Sequence, residues 1–234
     1  MRTSSYLRRR DQLTTYFDQT AAAAWAALTS NEPVNRIRAT VRAGRDEMRA
    51  TLMSWLPEDL NGKTLLDAGC GTGALAVDAA RRGAHVIAID VAANLVEVAR
   101  KRAADEHLQG RIDFRVGDML ADAPATVDYT VAMDSLIHYD EVDVRRVVAD
   151  LADRSGEGVL FTAAPWTPAL GLMHFVGRLI PHQNNRAPAI EPLHIPKLKK
   201  ALNEELGIAG WRTGQLARIK SGFYISQAVA LNRS

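Results

Sequence analysis

The chain has 234 residues, a formal charge of +2, 47% hydrophobic residues and 24% charged residues. That length suits one sizeable domain with an insertion rather than two full domains, and the composition is that of a globular protein. So small a net charge makes no electrostatic case for nucleic acid, and a single cysteine, Cys70, excludes an internal disulfide framework and suits a reducing compartment.

The first ten residues carry Arg2, Arg8, Arg9 and Arg10, and Arg36, Arg38, Arg42, Arg45 and Arg49 follow. They read either as a solvated helix face or as a contact for an anionic partner. No apolar h-region accompanies the early arginines, so no secretory signal is expected. No run reaches the roughly 20 apolar residues that span a bilayer. The expected location is cytoplasmic, at most peripheral to a membrane.

Leu13, Tyr16, Phe17, Ala21, Ala24, Trp25 and Leu28 recur at helical spacing and predict an amphipathic helix that Asn31-Glu32-Pro33 breaks. A second helix is expected over 34–55, with Val34, Ile37, Val41, Met48, Leu52 and Trp55 on one face. Pro57 and Asn61-Gly62 close that section. From Lys63 the pattern alternates. Strands are predicted at 64–67, 85–90, 112–117, 129–134 and 158–163, with helices at 74–82, 94–108 and 141–154 between them. This order predicts an α/β fold, Rossmann-like, with a mostly parallel sheet and helices on both faces. After Pro165 the rhythm fails. An apolar helix over 166–180, a loop over 181–196 with four prolines and a short helix over 197–206 precede closing strands at 211–220 and 223–231. The expected organisation is an N-terminal helical arm (1–57), a nucleotide-binding core (58–164), a lid insertion (165–210) and closing strands (211–234).

Leu65-Leu66-Asp67-Ala68-Gly69-Cys70-Gly71-Thr72-Gly73 ends a strand and opens a helix. Glycines there let the backbone turn tightly toward a ligand, and the helix N-terminus supplies free N–H groups. Gly69, Gly71 and Ala74 also fit the dinucleotide pattern G-x-G-x-x-A, so the glycines alone do not decide the cofactor. Asp67 does more. A carboxylate beside the turn repels a pyrophosphate but suits S-adenosylmethionine, which carries an ammonium and a sulfonium. Asp90 closes the second strand 17 residues after Gly73, where a carboxylate accepts both ribose hydroxyls. Asp118 follows the third strand, placed for an adenine amino group, with Met119 packing on the ring. Any one aspartate reads equally well as a turn or helix cap. Three, each ending a successive strand beside the crevice where such sheets bind ligands, select S-adenosylmethionine together.

Asp67 to Gly73 with Asp90 and Asp118 resembles the class I methyltransferase family over residues 63–164. Val91 and Met133 join the expected cofactor contacts, and one of Arg42 or Arg45, on the preceding helix, is a candidate to pair with the cofactor carboxylate. Cys70 reads as a small filler rather than a nucleophile.

The string Met133-Asp134-Ser135-Leu136-Ile137-His138-Tyr139 is similar to the corresponding segment of the magnesium-protoporphyrin IX O-methyltransferases of (bacterio)chlorophyll biosynthesis. Two further segments match: Tyr16-Phe17-Asp18 before Val41-Arg42-Ala43-Gly44-Arg45, and Ser221-Gly222-Phe223-Tyr224-Ile225-Ser226-Gln227. The last departs from the family by lacking a second aromatic. The resemblance covers nearly the whole chain and implies methyl transfer to one propionate of magnesium-protoporphyrin IX. A propionate has a pKa near 4.3, so it is ionised at neutral pH and needs no general base. In-line placement against the sulfonium then carries catalysis, and neither a bound metal nor a covalent nucleophile is needed. By the resemblance His138 and Tyr16 are the catalytic candidates. A neutral His138 orients the carboxylate through a hydrogen bond, and Tyr16 closes over the site. Ligation of the porphyrin magnesium is the competing role for His138, and is open to His174, His182 and His194.

The apolar run Leu170, Leu172, Met173, Phe175, Val176, Leu179 and Ile180 covers more than one helix face. It suits a buried lid helix, a flat macrocycle or a peripheral contact with the photosynthetic membrane. Lys197, Lys199, Lys200, Arg212, Arg218 and Lys220 are set to meet the second propionate or to keep that face soluble. The family implies the porphyrin-binding subunit of magnesium chelatase as a partner. Three rivals remain: a quinone or other small-molecule O-methyltransferase, a non-catalytic cofactor-sensing protein, and an NAD-dependent oxidoreductase. The last is disfavoured by Asp67 and by the lack of a Tyr-x-x-x-Lys pair.

Overall fold

The computed structural model describes residues 3–20, 25, 27, 29, 35–166 and 189–233. The apolar run from Leu170 to Ile180 and the lid histidines His174 and His182 lie outside the described residues.

Helix α1 (Ser4–Thr15) begins where the Thr3 side chain accepts the Tyr6 amide at 3.0 Å, and it runs into a π-helical stretch, Tyr16–Thr20. The helix therefore starts well before Leu13. Tyr6 and Leu13 are its buried residues, and two of its arginines are paired with acids elsewhere in the chain rather than solvated. Helix α2 (Arg36–Ser54) is capped by Asn35, which accepts the Arg38 amide at 2.9 Å. Met48 and Leu52 are buried as the expected apolar face requires, whereas Ile37, in the first turn, is exposed.

Seven strands follow: β1 (Thr64–Ala68), β2 (His85–Asp90), β3 (Arg111–Val116), β4 (Val127–Ala132), β5 (Ser155–Ala163), β6 (Trp211–Ser221) and β7 (Tyr224–Arg233). They form one sheet in the order β3-β2-β1-β4-β5-β7-β6. The first five pair in parallel and β7 runs antiparallel to both β5 and β6, so the sheet is mostly parallel as the sequence predicts. Helices α3 (Ala74–Arg81), α4 (Ala93–Ala104) and α5 (Glu141–Arg154) make the crossovers, and α6 (Ile195–Leu206) precedes β6. Strand β5 starts directly from α5, three residues before the expected position, because Ser155 is buried there and bonds Thr130 and the Leu151 carbonyl.

Strand residues alternate between two cores. Leu66, Ile87, Phe161 and Val229 pack with Leu13, Val147 and Leu202 on one face. Leu65, Val86, Leu160 and Ala228 pack with Met48, Leu52 and Leu75 on the other. Each of the larger of these side chains contributes about 1.5–3 kcal/mol on burial, enough to hold the register that puts the strand ends side by side. The strand order reverses between β1 and β4, which makes the crevice beyond their C-terminal ends the expected ligand site.

Candidate active site at the β1–β4 switch point

Strand β1 ends at Ala68, and the chain turns through Gly69, where φ is +88°, into α3, whose N-cap Gly73 has φ +81°. Only glycine adopts such angles without strain, and a Cβ on Gly69 would stand 2.4 Å from that of Ser135. The amides of Gly69 and Cys70 both donate to the Ile89 carbonyl, at 2.8 and 3.0 Å, which seats the turn on β2.

Asp90 accepts the Gly71 amide at 2.8 Å and the Ala92 amide at 2.9 Å, so the end of β2 is tied to the glycine turn. Burial pushes its carboxyl above the usual range. Asp67 is 2% exposed, and its Oδ2 has no hydrogen-bond partner among the described residues. Burial first and the Asp90 charge second push the Asp67 carboxyl up to about 7. Burial, with Asp67 and Asp90 next, holds the Cys70 thiol well above its ordinary value, which disfavours the thiolate.

A cavity of about 290 Å³ opens over this turn. Asp67, Gly69, Gly71, Asp90, Val91, Met119, Met133 and His138 line it, as do Arg42 and Arg45. Gly73, Asp118 and Tyr16 are not among the lining residues. Gly73 instead caps α3. Tyr16 packs edge-on against Phe17 at 5.1 Å, and Phe17 in turn meets the His138 ring edge-on at 6.2 Å. His138 is 8% exposed, with Nδ1 3.2 Å from the Ala189 carbonyl.

The Asp118 carboxylate accepts the Leu120 and Ala121 amides at 2.8 and 3.0 Å, the Arg10 guanidinium at 3.1 Å and the Tyr6 hydroxyl at 3.2 Å. Burial raises its pKa, but those two amides, Arg10 and Tyr6 together outweigh burial and hold it below the usual range. Tyr6 stacks on Tyr139 at 5.1 Å, so α1 spans from the loop after β3 to the segment after β4.

Several lining residues were not expected from sequence. Tyr6 and Arg10 come from a segment whose arginines register there only as charge. Asp134 lies inside the quoted string, but its role depends on α2 and β7. Its carboxylate takes Arg45 at 2.6 Å and the Tyr224 hydroxyl at 3.0 Å. Arg42 donates to the Ala27 carbonyl at 2.8 Å. His194, by contrast, accepts the Lys197 amide at the N-cap of α6, and it lines a separate cavity with Trp166 and Glu141.

The donor set fits S-adenosylmethionine. The orphaned Asp67 Oδ2 matches a buried ammonium, Asp90 carries oxygen lone pairs beside the glycine turn, and Met119 and Met133 offer apolar walls.

A family model described as magnesium-protoporphyrin IX methyltransferase C-terminus matches residues 132–233, and a methyltransferase domain model matches residues 65–156. The chain is 42% identical to the magnesium-protoporphyrin O-methyltransferase of Rhodobacter capsulatus, over 97% of each chain. Its fold is similar to the crystal structure of magnesium protoporphyrin IX methyltransferase from Synechocystis PCC 6803 with bound SAH. The TM-score is 0.80 at 25% identity, over 94% of this chain and 98% of that one. The ubiquinone biosynthesis O-methyltransferase of Xylella fastidiosa (strain 9a5c) is 43% identical over only 34% of this chain and 32% of its own length.

Proposed function

Because the chain belongs to the magnesium-protoporphyrin IX methyltransferase family, we propose that it esterifies one propionate of magnesium-protoporphyrin IX to the monomethyl ester. The observation that carries this reading is one cavity holding both the glycine turn with its acids and His138 from the segment after β4. Matches to ubiquinone biosynthesis O-methyltransferases cover 34% to 53% of the chain, against 97% for the magnesium-protoporphyrin enzyme, and this favours the porphyrin over that alternative.

Bound S-adenosylmethionine supplies a sulfonium methyl, which passes to a propionate oxygen as the carbon–sulfur bond breaks and the electron pair stays on sulfur. The protein's part is binding and alignment. Asp67 takes the cofactor ammonium, Asp90 the ribose hydroxyls, and Val91, Met119 and Met133 the adenine and methionine walls. Asp118, already committed to Arg10 and Tyr6, serves the cofactor by accepting the Leu120 and Ala121 amides and so shaping the turn that carries Met119. His138 orients the acceptor carboxylate from a neutral ring, since a full positive charge would blunt the nucleophile, and its single N–H, which Nδ1 directs at the Ala189 carbonyl in this structure, turns to the substrate. Tyr16 backs the Phe17 ring that faces His138. Well-oriented reactants lower such a barrier by about 7–11 kcal/mol without acid–base chemistry.

No helix among the described residues is long and apolar enough to cross a membrane. We assign the protein to the cytoplasm, peripheral at most to the photosynthetic membrane, receiving its porphyrin from the chelatase's porphyrin-binding subunit. The test is incubation with magnesium-protoporphyrin IX and methyl-labelled cofactor, with the product identified by mass. Label in a porphyrin monomethyl ester is expected. Cofactor binding without ester product favours a non-catalytic role, and labelling of a quinone alone moves the acceptor.

A further inference from the structure

Asp134 holds φ at +55°, and among the described residues it is the one non-glycine residue with positive φ. Aspartate tolerates that region better than most residues, yet it persists only where the surroundings over-determine it. Here they do. The Asp134 amide donates to Thr162 Oγ1 at 2.7 Å, while its carboxylate, 5% exposed, receives Arg45 from α2 and the Tyr224 hydroxyl from β7. Burial, and then the Asp134 charge, push the Tyr224 phenol up, so it stays a donor. Helix α2 comes close enough because Gly44 faces the Tyr224 ring, where a Cβ would stand 2.5 Å from Cδ1. The Arg45 guanidinium also lies over the Trp25 ring, 4.7 Å from its centre.

We propose that Asp134, Arg45 and Tyr224 form a positioning cluster for methyl transfer, in which the clamped carboxylate fixes the turn over 133–138 against the glycine turn. Asp134 is flanked by Met133 and Ser135, both on the cavity wall, and Ser135 is the residue that closes on Gly69. Four residues on, the same turn delivers His138. A shift of the Asp134 backbone therefore moves the acceptor-side histidine relative to a cofactor held by the glycine turn. The pair also leaves the Arg45 charge neutralised, so no uncompensated cation from this position faces the sulfonium.

Buried ion pairs are weak stabilisers, because desolvation offsets much of the attraction, and their best-attested use is to set register. Arg45 from α2, Tyr224 from β7 and the Thr162 hydroxyl from β5, which donates at 3.2 Å, converge on one carboxylate at the cavity wall, which is the arrangement that use requires. The inference rests on the methyl-transfer reading above.

The experiment compares wild type with Asp134→Asn, Asp134→Gly and Tyr224→Phe, measuring kcat, KM for each substrate and calorimetric binding of S-adenosylhomocysteine. Glycine and asparagine both accept the left-handed backbone, so these variants remove the carboxylate without straining the chain. The expected result is a kcat lowered about ten- to a hundred-fold in both Asp134 variants, with S-adenosylhomocysteine affinity within about threefold of wild type. Tyr224→Phe, which deletes one hydroxyl, shows a smaller kcat loss in the same direction. Wild-type kcat in Asp134→Gly overturns the inference, as does a kcat loss matched by an equal loss of cofactor affinity. If the Asp134 variants do not fold, Tyr224→Phe decides, and an unchanged kcat there overturns it. No ester from the wild type overturns the functional reading itself, an outcome separable from all of these.

Discussion

The Arg10 guanidinium stands 3.1 Å from the Asp118 carboxylate and joins α1 to the loop after β3 across 108 positions of sequence. Asp118 is 6% exposed at its side chain and Arg10 26%, so the pair is more sheltered than a surface bridge. Replacing Arg10 by Gln leaves a buried carboxylate short of its cation. The expected cost is about 1–3 kcal/mol, felt locally as release of α1. Hydrogen exchange at the α1 amides checks this, and unchanged protection in Arg10→Gln sinks it.

The same carboxylate makes α1 docking acid-sensitive. Its folded pKa is depressed, so the stabilisation is fully present above the unfolded value near 3.9 and is lost as pH falls through the folded one. Wild-type α1 protection, taken relative to the intrinsic exchange rate at each pH, should therefore be flat from pH 7 to pH 5 and fall only in more acid solution. In Arg10→Gln the depression is smaller, so the acid-induced loss should be smaller. Coincident profiles for the two proteins would refute the assignment.

Asp67 behaves in the opposite sense. Its carboxyl is pushed up to about 7, so in the ligand-free protein a proton is favoured, and its ionisation costs stability as pH rises from near 4 to near 7. The ammonium of the cofactor needs the ionised form. Binding should thus tighten as pH rises through about 7 and should release a proton below it. Calorimetry of S-adenosylhomocysteine at pH 6 in buffers of different ionisation enthalpy reads the proton directly. Asp67→Asn should abolish the release and weaken binding about ten- to a hundred-fold, the effect of one or two pKa units. Equal heats in all buffers for the wild type would show that Asp67 does not ionise on binding.

The glycine turn admits a sharper steric test. Gly69→Ala combines a φ of +88° with a Cβ 2.4 Å from that of Ser135, and Ser135 belongs to the turn after β4. The substitution should cost about 1–3 kcal/mol from the backbone alone and should also push the two walls of the cavity apart. Denaturant midpoint and cofactor affinity should both fall. Gly62→Ala is the comparison, because it shares a φ of +76° but has nothing within 4 Å of the added Cβ. If Gly62→Ala weakens cofactor binding as much as Gly69→Ala, the steric argument fails.

Much of this architecture is legible because short-range physics writes it. Leu65 and Leu66 send side chains to opposite cores, and that pattern repeats through β2, β4, β5 and β7, so strands and their parallel order follow from sequence. The glycine turn and its acids are local too, and most of them line the cavity. What escapes is long-range. Nothing near Asp118 in sequence announces Arg10, and nothing near Asp134 announces Arg45 or Tyr224, each about 90 or more positions away. Helix α1 was hidden for a related reason. Tyr6 and Leu13 are its only buried residues, too sparse an apolar pattern to outweigh the arginines between them.

His138 tests the acceptor side of the cavity. The ring is 8% exposed, lines the same cavity as the glycine turn and meets Phe17 edge-on, which in turn meets Tyr16. His138→Ala should lower kcat by about 10²–10³-fold while S-adenosylhomocysteine affinity changes little, because the contact is strongest once the carboxylate is aligned. Tyr16→Phe separates ring from hydroxyl. It preserves the edge contact with Phe17, so near-normal turnover is expected if Tyr16 acts by packing, whereas Tyr16→Ala should be slow. Near-normal turnover in His138→Ala removes the histidine from the reaction. A slow Tyr16→Phe instead gives the hydroxyl a direct part in it.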